Sequence, residues 1–245
     1  MVPQSRALPV LITRPEPQAS RFALALRDRY GDRVAPILTP LLAPTLFQPA
    51  LPEGPFASVV LTSETGARAA AALASALPRR AYCVGDQTAQ IATGLGFQAD
   101  SAMGDAESLF QLLAKRTGHA PFLHLRGREA RGDLAARLTA AGVPAQEVIV
   151  YAQEARPLSP EALHLLAGEG LVIAPLFSPR SAEVFRRALR EIPQAADLPG
   201  RLQIAALSPA VAAVFADHPP RSMAVATAPT LAKLFFALDR FIFIA

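Results

Sequence analysis

The chain repeats one local pattern, in which a short apolar run ends in a hydroxyl residue or a glycine and an alanine-rich segment with helical spacing follows. The eight apolar ends lie at residues 11–13, 59–63, 82–85, 100–104, 123–127, 176–178, 206–208 and 225–227. Strands that alternate with helices in this way favour a parallel α/β architecture. The pattern therefore limits the chain to folds in which most strands are followed by a helix.

Each apolar run in this pattern would end beside a helix N-terminus. The first backbone N–H groups of a helix have no intrahelical partner, and the helix dipole favours negative charge at that end. Ligands of open α/β sheets bind beyond the carboxyl ends of the strands, which is where all of these helices would begin. A row of such ends with little other chemistry predicts a site for a polyanionic ligand.

The candidate binding residues are those that the pattern places at these strand ends. They are Thr62, Ser63, Gly85, Thr88, Arg126, Gly127, Ser178, Pro179, Ser208 and Thr230. We expect Thr62 or Ser63 to cap the following helix. The segment 126–134 contains three arginines, which we expect around a helix start and which are suited to bidentate binding of carboxylates or phosphates. An ordinary N-cap or a solvated helix start is the alternative explanation for each of these residues.

The distribution of strands indicates how the chain divides into domains. A proline-rich stretch at 40–55 and an extended stretch at 152–157 separate two predicted strands, then five, then three. Neither terminal block completes a sheet alone, so we predict a discontinuous first domain of residues 1–41 and 153–245, with residues 42–152 inserted as the second. The expected fold is α/β, with two flavodoxin-like doubly wound parallel-sheet domains joined by a two-stranded linker. Two sequential domains divided near residue 125 are the competing layout.

Capped helix starts occur in both predicted domains, so we expect the site in a cleft between them, with loose closure through the two extended linkers. This is an expectation from the sequence pattern alone.

The charge and composition exclude several classes of partner. The net charge is +4, but only two of the 24 basic side chains are lysines, the arginines are scattered among acidic residues, and there is no tryptophan. We therefore expect no nucleic-acid binding. No apolar stretch reaches the roughly 20 residues that span a bilayer, so we expect no membrane insertion. The single cysteine, Cys83, lies in a strand-like run and is expected in the core, and the absence of a secretory signal favours the cytoplasm.

Several catalytic chemistries have no matching motif. The sequence contains no phosphate-binding P-loop, no Gly-x-Gly-x-x-Gly after a strand and no Gly-x-Ser-x-Gly elbow. The four histidines lack the spacing of metal ligands, and His124 is expected in the core or supporting a site residue. We therefore expect no metal and no cofactor. A tandem receiver-like regulator is disfavoured, because Thr13, Arg14 and Pro15 stand where carboxylates would be needed.

The order of the strand-end segments resembles the uroporphyrinogen-III synthase family. The segments that carry this resemblance are Leu61-Thr62-Ser63, Cys83-Val84-Gly85-Asp86-Gln87-Thr88-Ala89, Leu95-Gly96-Phe97, Leu125-Arg126-Gly127, Val150-Tyr151, Phe177-Ser178-Pro179 and Pro229-Thr230. The resemblance covers nearly the whole chain and rests on their joint order and spacing. It implies two α/β domains joined by a two-stranded ladder, with the middle of the chain forming the second domain.

The resemblance also implies a reaction. Linear hydroxymethylbilane loses water and closes to a macrocycle with its last pyrrole ring inverted, without cofactor or metal, and the substrate carries eight carboxylates. Tyr151 matches the family's usual candidate for assisting departure of the hydroxyl, and Thr88 matches the threonine of its Val-Gly-x-x-Thr segment. A strand-end tyrosine at a domain hinge is the alternative for Tyr151. A non-catalytic two-lobed protein that binds a small polyanion is the alternative function.

We further expect the protein to be a monomer. The resemblance leaves open whether the protein makes a transient contact with the preceding enzyme of the pathway.

Overall fold

The computed structural model describes residues 7–129, 132–192 and 195–243, without the side chains of residues 195–197. Arg131, one of the three arginines of the segment 126–134, lies outside the described residues. The contacts of the chain divide it into two compact units. The first comprises residues 1–43 and 155–245, and the second comprises residues 44–154.

The elements alternate between strand and helix along most of the chain. The strands are β1 (Leu8–Ile12), β2 (Val34–Leu38), β3 (Leu42–Leu46), β4 (Ser58–Leu61), β5 (Arg80–Cys83), β6 (Gln98–Ser101), β7 (Phe122–Gly127), β8 (Ala145–Ala155), β9 (Val172–Leu176), β10 (Leu202–Ala206) and β11 (Ser222–Val225). The helices are α1 (Gln18–Tyr30), α2 (Glu64–Ala72), α3 (Asp86–Gly94), α4 (Ala106–Ala114), α5 (Leu134–Ala140), α6 (Pro160–Ala167), α7 (Pro179–Arg190), α8 (Pro209–Ala212) and α9 (Leu231–Ile242).

The first unit contains a five-stranded parallel sheet with the order β2-β1-β9-β10-β11. Numbered along the unit, this is the 2-1-3-4-5 order of flavodoxin. Successive residues of a strand point to opposite faces, and each face has its own core. Val10 and Ile12 pack with α1 and α9, whereas Leu11 packs with α6 and α7. Helices therefore cover both faces of the sheet.

The second unit contains a six-stranded sheet with the order β3-β8-β7-β4-β5-β6. Its strands β4 to β8 are parallel and follow the order 3-2-1-4-5, so this sheet differs in detail from the flavodoxin order. Helices α2 and α3 pack on one face, and α4 and α5 on the other. Right-handed crossovers explain this arrangement, because the chain reverses its direction across the sheet after β6. The predicted doubly wound α/β class is confirmed.

The two extended stretches of the sequence pair with each other. Phe47 N donates to Val150 O at 2.8 Å, and Arg156 N donates to Leu41 O at 2.9 Å. Leu41 pairs with Arg156, whereas the later residue Phe47 pairs with the earlier residue Val150. The two strands therefore run in opposite directions, so β3 and the second half of β8 form an antiparallel ladder. The stretch predicted as a proline-rich linker thus contains a strand. The chain passes between the units at residues 43–44 and 154–155, inside this ladder.

One predicted helix start is wrong. The sequence pattern placed a helix start at Gly127, the last residue of β7, but α5 begins only at Leu134. The backbone N–H of Arg128 still donates to Tyr151 O at 2.9 Å, so pairing with β8 keeps this segment extended. Cys83 is fully buried as expected, and its burial raises the pKa of the thiol to about 12. Every described helix is too short or too polar to cross a membrane.

Candidate functional site

Several predicted residues meet at the carboxyl edge of the second sheet. Thr62 and Ser63 follow β4, Gly85 follows β5, Gly127 ends β7, and Tyr151 lies in β8. The strands β5, β4, β7 and β8 are neighbours in the sheet, so parallel pairing brings their ends to one edge. The sequence pattern correctly anticipated that these strand ends would share an edge, whereas the side-chain contacts among them could only be found in the structure.

Ser63 connects a helix N-terminus with the tyrosine. Its backbone is extended, with φ −158°, and its Oγ accepts a hydrogen bond from Gly66 N at 2.9 Å, which makes Ser63 the N-cap of α2. The same Oγ lies 2.9 Å from the hydroxyl oxygen of Tyr151, which is half-buried. A hydroxyl has one donor and two acceptor lone pairs, so Ser63 can hold both groups at once. The capping bond therefore also fixes the position of the phenol.

Gly127 provides the space in which the tyrosine ring lies. The β7–β8 ladder shifts register there, since Arg126 pairs with Ile149 but Gly127 pairs with Tyr151. Such an irregularity re-aims side chains at the edge of a sheet. A Cβ atom on Gly127 would lie 2.5 Å from Cζ and 2.8 Å from the hydroxyl oxygen of Tyr151. Any larger residue at 127 must therefore displace the ring.

His124 supports Thr62 from within the sheet. Its Nε2 lies 3.3 Å from Thr62 Oγ1, and only 6% of the residue is exposed. Burial, and secondarily the positive charge of Arg126, lowers the pKa of His124 from 6.5 to about 4. The imidazole is therefore neutral at pH 7. Its Nδ1 is buried and has no hydrogen-bond partner in the described part of the chain.

Two arginines flank Gly127 and have different surroundings. Arg126 forms an ion pair with Glu147, with Nη1 2.7 Å from Oε1, and only 14% of its side chain is exposed. Arg128 is exposed, and its guanidinium carbon lies 5.1 Å from the centre of the Phe47 ring. The predicted carboxylate-binding role of Arg126 would thus require competition with Glu147. Arg128 presents its charge to solvent at the same strand end.

Gly85 and Thr88 belong to one helix start but differ in accessibility. Gly85 is the N-cap of α3, with an extended backbone at φ −153°. Thr88 is the third residue of α3 and is buried, with 6% exposure. The first-turn N–H groups of α3 can therefore face a ligand, whereas the Thr88 side chain packs inward.

The first unit has its own row of helix N-termini. Ser178 caps α7 through Ser181 N at 3.2 Å, with Pro179 in the first turn, and Thr230 caps α9 through Lys233 N at 3.3 Å. Ser208 occupies the N-cap position of α8, but its hydroxyl makes no capping hydrogen bond. The three starts follow β9, β10 and β11, which are consecutive strands of the sheet.

A cation lies beside the first of these starts. The guanidinium carbon of Arg14 lies 4.0 Å from the centre of the Phe177 ring, within cation–π distance. Phe177 directly precedes Ser178, so a positive charge accompanies a helix N-terminus in this unit as well.

The comparison that decides the family is a match between a family model and most of the chain. The model is described as uroporphyrinogen-III synthase HemD, and it matches residues 33–235. The chain belongs to the uroporphyrinogen-III synthase family. It is therefore an enzyme of haem biosynthesis, and the predicted function in tetrapyrrole synthesis is confirmed. The alternative of a non-catalytic binding protein has no support from this match.

A solved structure with low sequence identity shares the fold of this chain. The crystal structure of uroporphyrinogen-III synthetase from Helicobacter pylori is 17% identical, with a TM-score of 0.63 over 95% of this chain and 99% of that chain. A mutant uroporphyrinogen III synthase from the extremely thermophilic bacterium Thermus thermophilus is 16% identical, with a TM-score of 0.43 over 96% of this chain and 97% of that chain. The first likeness shows the two-sheet α/β fold. A comparison with curated protein sequences found no match.

Reasoning from the sequence of this chain missed three features of the site. These are the Ser63–Tyr151 hydrogen bond, the packing of Tyr151 on Gly127, and the exposed position of Arg128. Of these three features, only the position of Arg128 was indicated by the sequence, through the cluster of arginines around it. Among the described residues, no group of three His, Cys, Asp or Glu side chains is placed to hold a metal ion.

Proposed function

We propose that this family member closes hydroxymethylbilane to uroporphyrinogen III, with loss of water and inversion of the last pyrrole ring. The observation that supports a catalytic site is the Tyr151 hydroxyl, held by Ser63 at a sheet edge where helix N-termini begin. In this proposal the enzyme is a lyase that uses no cofactor, because the electron-rich pyrroles of the substrate supply much of the chemistry. Its main contribution is positioning and electrostatic preorganisation.

Tyr151 would act as the proton donor to the departing hydroxyl. The C–O bond breaks with both electrons on oxygen, and this oxygen takes the phenol proton and leaves as water. A phenol O–H is a suitable donor, and the 2.9 Å contact with Ser63 leaves Ser63 able to donate to the phenol oxygen as negative charge develops there. A proton released on ring closure restores Tyr151. The alternative is that Tyr151 has only a structural role at the strand end.

The carboxylates of the substrate would bind to helix N-termini and arginines. The candidates are the first turns after Ser63 and Gly85 in the second unit, and those after Ser178, Ser208 and Thr230 in the first. Backbone N–H groups at these positions suit anions without any acidic or basic side chain. Arg128 is our added candidate, because its charge is exposed one residue beyond Gly127.

The test is turnover of the intact substrate. Purified protein is incubated with enzymatically made hydroxymethylbilane, the products are oxidised, and the type I and type III isomers are separated. We expect the type III isomer to form faster than the type I isomer that arises by spontaneous closure. Formation of the type I isomer alone, at the spontaneous rate and with substrate binding retained, would contradict the proposal and favour a binding protein.

We also propose that the chain acts as a monomer in the cytoplasm. The composition and single buried cysteine support this assignment. Light scattering after size-exclusion chromatography tests the monomer, and a mass of twice 25.9 kDa would contradict it.

A further inference from the structure

The first unit contains a cavity that the proposed reaction does not use. Its volume is about 370 Å³, and it lies between the second half of α7, Leu198 and Pro199, and the segment after α8. Much of its lining is apolar, including Leu189, Ile192, Leu202 and Phe215. Small-molecule sites typically have volumes of about 300–1,000 Å³ and apolar walls with a few polar groups. The cavity therefore has the size and lining of a ligand site.

This cavity lies at the opposite end of the sheet from the helix N-termini. Leu202 is the first residue of β10, whereas Ser208 follows the last residue of that strand. Along α7, Arg186 lies seven residues after Pro179, which corresponds to about 10 Å at 1.5 Å per residue. An occupant of the cavity would thus bind away from the proposed substrate-binding residues, and this inference does not depend on the proposed function.

The polar part of the lining is cationic. Arg186 and Arg190 lie four residues apart on α7, so they project from the same face of the helix. The imidazole of His218 also lines the cavity, from the segment after α8. A guanidinium stays charged at any physiological pH. The geometry therefore favours an anionic acceptor at Arg186.

We propose that this cavity binds a small amphipathic monocarboxylate. Its carboxylate would accept hydrogen bonds from the Arg186 guanidinium, with Arg190 adding positive charge. Its aliphatic or aromatic body would pack against Leu189, Leu202 and Phe215. Arginine suits a planar carboxylate because its N–H groups match the two oxygens.

The experiment is calorimetric titration of the full chain with octanoate, octan-1-ol and acetate. Octanoate carries both the head group and the apolar body, octan-1-ol lacks the charge, and acetate lacks the body. We expect saturable 1:1 binding of octanoate, weaker binding of octan-1-ol, and no saturable binding of acetate. Arg186→Gln should weaken octanoate binding at least tenfold and leave octan-1-ol binding unchanged.

The matched control is Arg187→Gln, which removes an exposed arginine next to Arg186 on the same helix but outside the cavity lining. It should change octanoate affinity less than twofold. Arg186→Lys, which keeps the charge but loses the planar guanidinium, should give an intermediate affinity and replaces the glutamine variant if that variant fails to fold. The proposal is overturned by absent octanoate saturation, by equal losses in the Arg186 and Arg187 variants, or by octan-1-ol binding as tightly as octanoate.

Discussion

At the scale of single residues, the position of the Tyr151 hydroxyl depends on two neighbours that carry no catalytic chemistry themselves. Ser63 holds the phenol oxygen at 2.9 Å, and Gly127 leaves room for the ring. Removing the hydroxyl in Tyr151→Phe should lower kcat without abolishing turnover. Loss of one donor at a preorganised site costs about 2.7–4 kcal/mol, a rate factor on the order of 100–1,000, and a half-buried phenol should lie near or below the low end.

The measurement for Tyr151→Phe is kcat and KM for the type III product, after subtraction of spontaneous closure to the type I ring. An unchanged kcat would remove the catalytic role of Tyr151. Complete loss of turnover in a folded variant that still binds substrate would show that one acid dominates, against catalysis distributed over many contacts.

Gly127→Ala should damage catalysis through the position of the tyrosine. The added Cβ would lie 2.5 Å from Cζ of Tyr151, so the ring must move away from Ser63. We expect kcat to fall about as far as in Tyr151→Phe, and the double variant to lose little more, since both changes remove one interaction. Gly94→Ala is the control, because a Cβ there meets nothing within 4 Å. Additive losses in the double variant would show that Gly127 acts by another route.

His124 should make stability depend on pH. Its pKa is about 4 in the folded chain and 6.5 as the reference value, so between these values the unfolded chain binds the extra proton and stability falls as pH falls. From pH 7.5 to pH 5 this amounts to about 2 kcal/mol. His124→Gln should reduce the difference between the urea unfolding free energies at these two pH values by about that amount. His164→Gln, at an exposed histidine, is the matched control, and equal effects of both variants would refute the assignment.

The sequence could predict some of these residues and not others. Tyr151 was implied by the family resemblance, and Ser63 by its place between an apolar run and a helical pattern. The role of Gly127 could not be predicted, because it depends on the register shift that brings it opposite Tyr151. Register in a parallel ladder is set by packing across the sheet, which a local pattern does not record.

At the scale of elements, the helix N-termini of the first unit differ in how their hydroxyls are used. Ser178 Oγ accepts from Ser181 N, whereas the Ser208 hydroxyl makes no capping bond. Ser178→Ala should therefore reduce the free energy of unfolding by about 1 kcal/mol, while Ser208→Ala should change it by less than about 0.5 kcal/mol. Urea unfolding of the two variants measures this difference. Equal destabilisation would contradict the assignment of the caps.

Most of these elements were predictable because a hydroxyl or glycine after an apolar run marks the change from strand to helix. The prediction was wrong where pairing overrides the local signal, as after Gly127, where pairing with β8 keeps the chain extended and α5 begins seven residues later. The strand β3 lies within the proline-rich stretch, where the prediction placed one side of a two-stranded linker. Pro44 lies in this strand, and proline is tolerated there because β3 is at the edge of its sheet.

At the scale of the whole molecule, counting strands before, between and after the two extended stretches predicted the sheet class but not every strand order. The residues that the structure describes form five strands in the first sheet and six in the second. A count does not say on which side of β4 the chain places β5 or β7, so the 3-2-1-4-5 order of β4 to β8 could not be derived. A right-handed crossover can place the next strand on either side of β4.

The antiparallel ladder between β3 and β8 predicts that the first unit can fold without the residues inserted in it. The bonds from Phe47 to Val150 and from Arg156 to Leu41 place Ala43 opposite Glu154 in the same register. Replacing residues 44–153 by Asn-Gly would close this pair with a two-residue turn whose conformation suits a hairpin. The remaining chain keeps all five strands of its sheet and both of its cores.

We expect this shortened chain to unfold cooperatively in urea and to give dispersed amide resonances. The same excision joined by Ala-Ala is the control, and it should be less stable, because alanine disfavours the positive φ angles that the two-residue turn requires. Collapsed amide dispersion in the Asn-Gly chain would show that the first unit needs the inserted residues to fold. Equal stability of the two joined chains would show that the ladder register does not continue to Ala43 and Glu154.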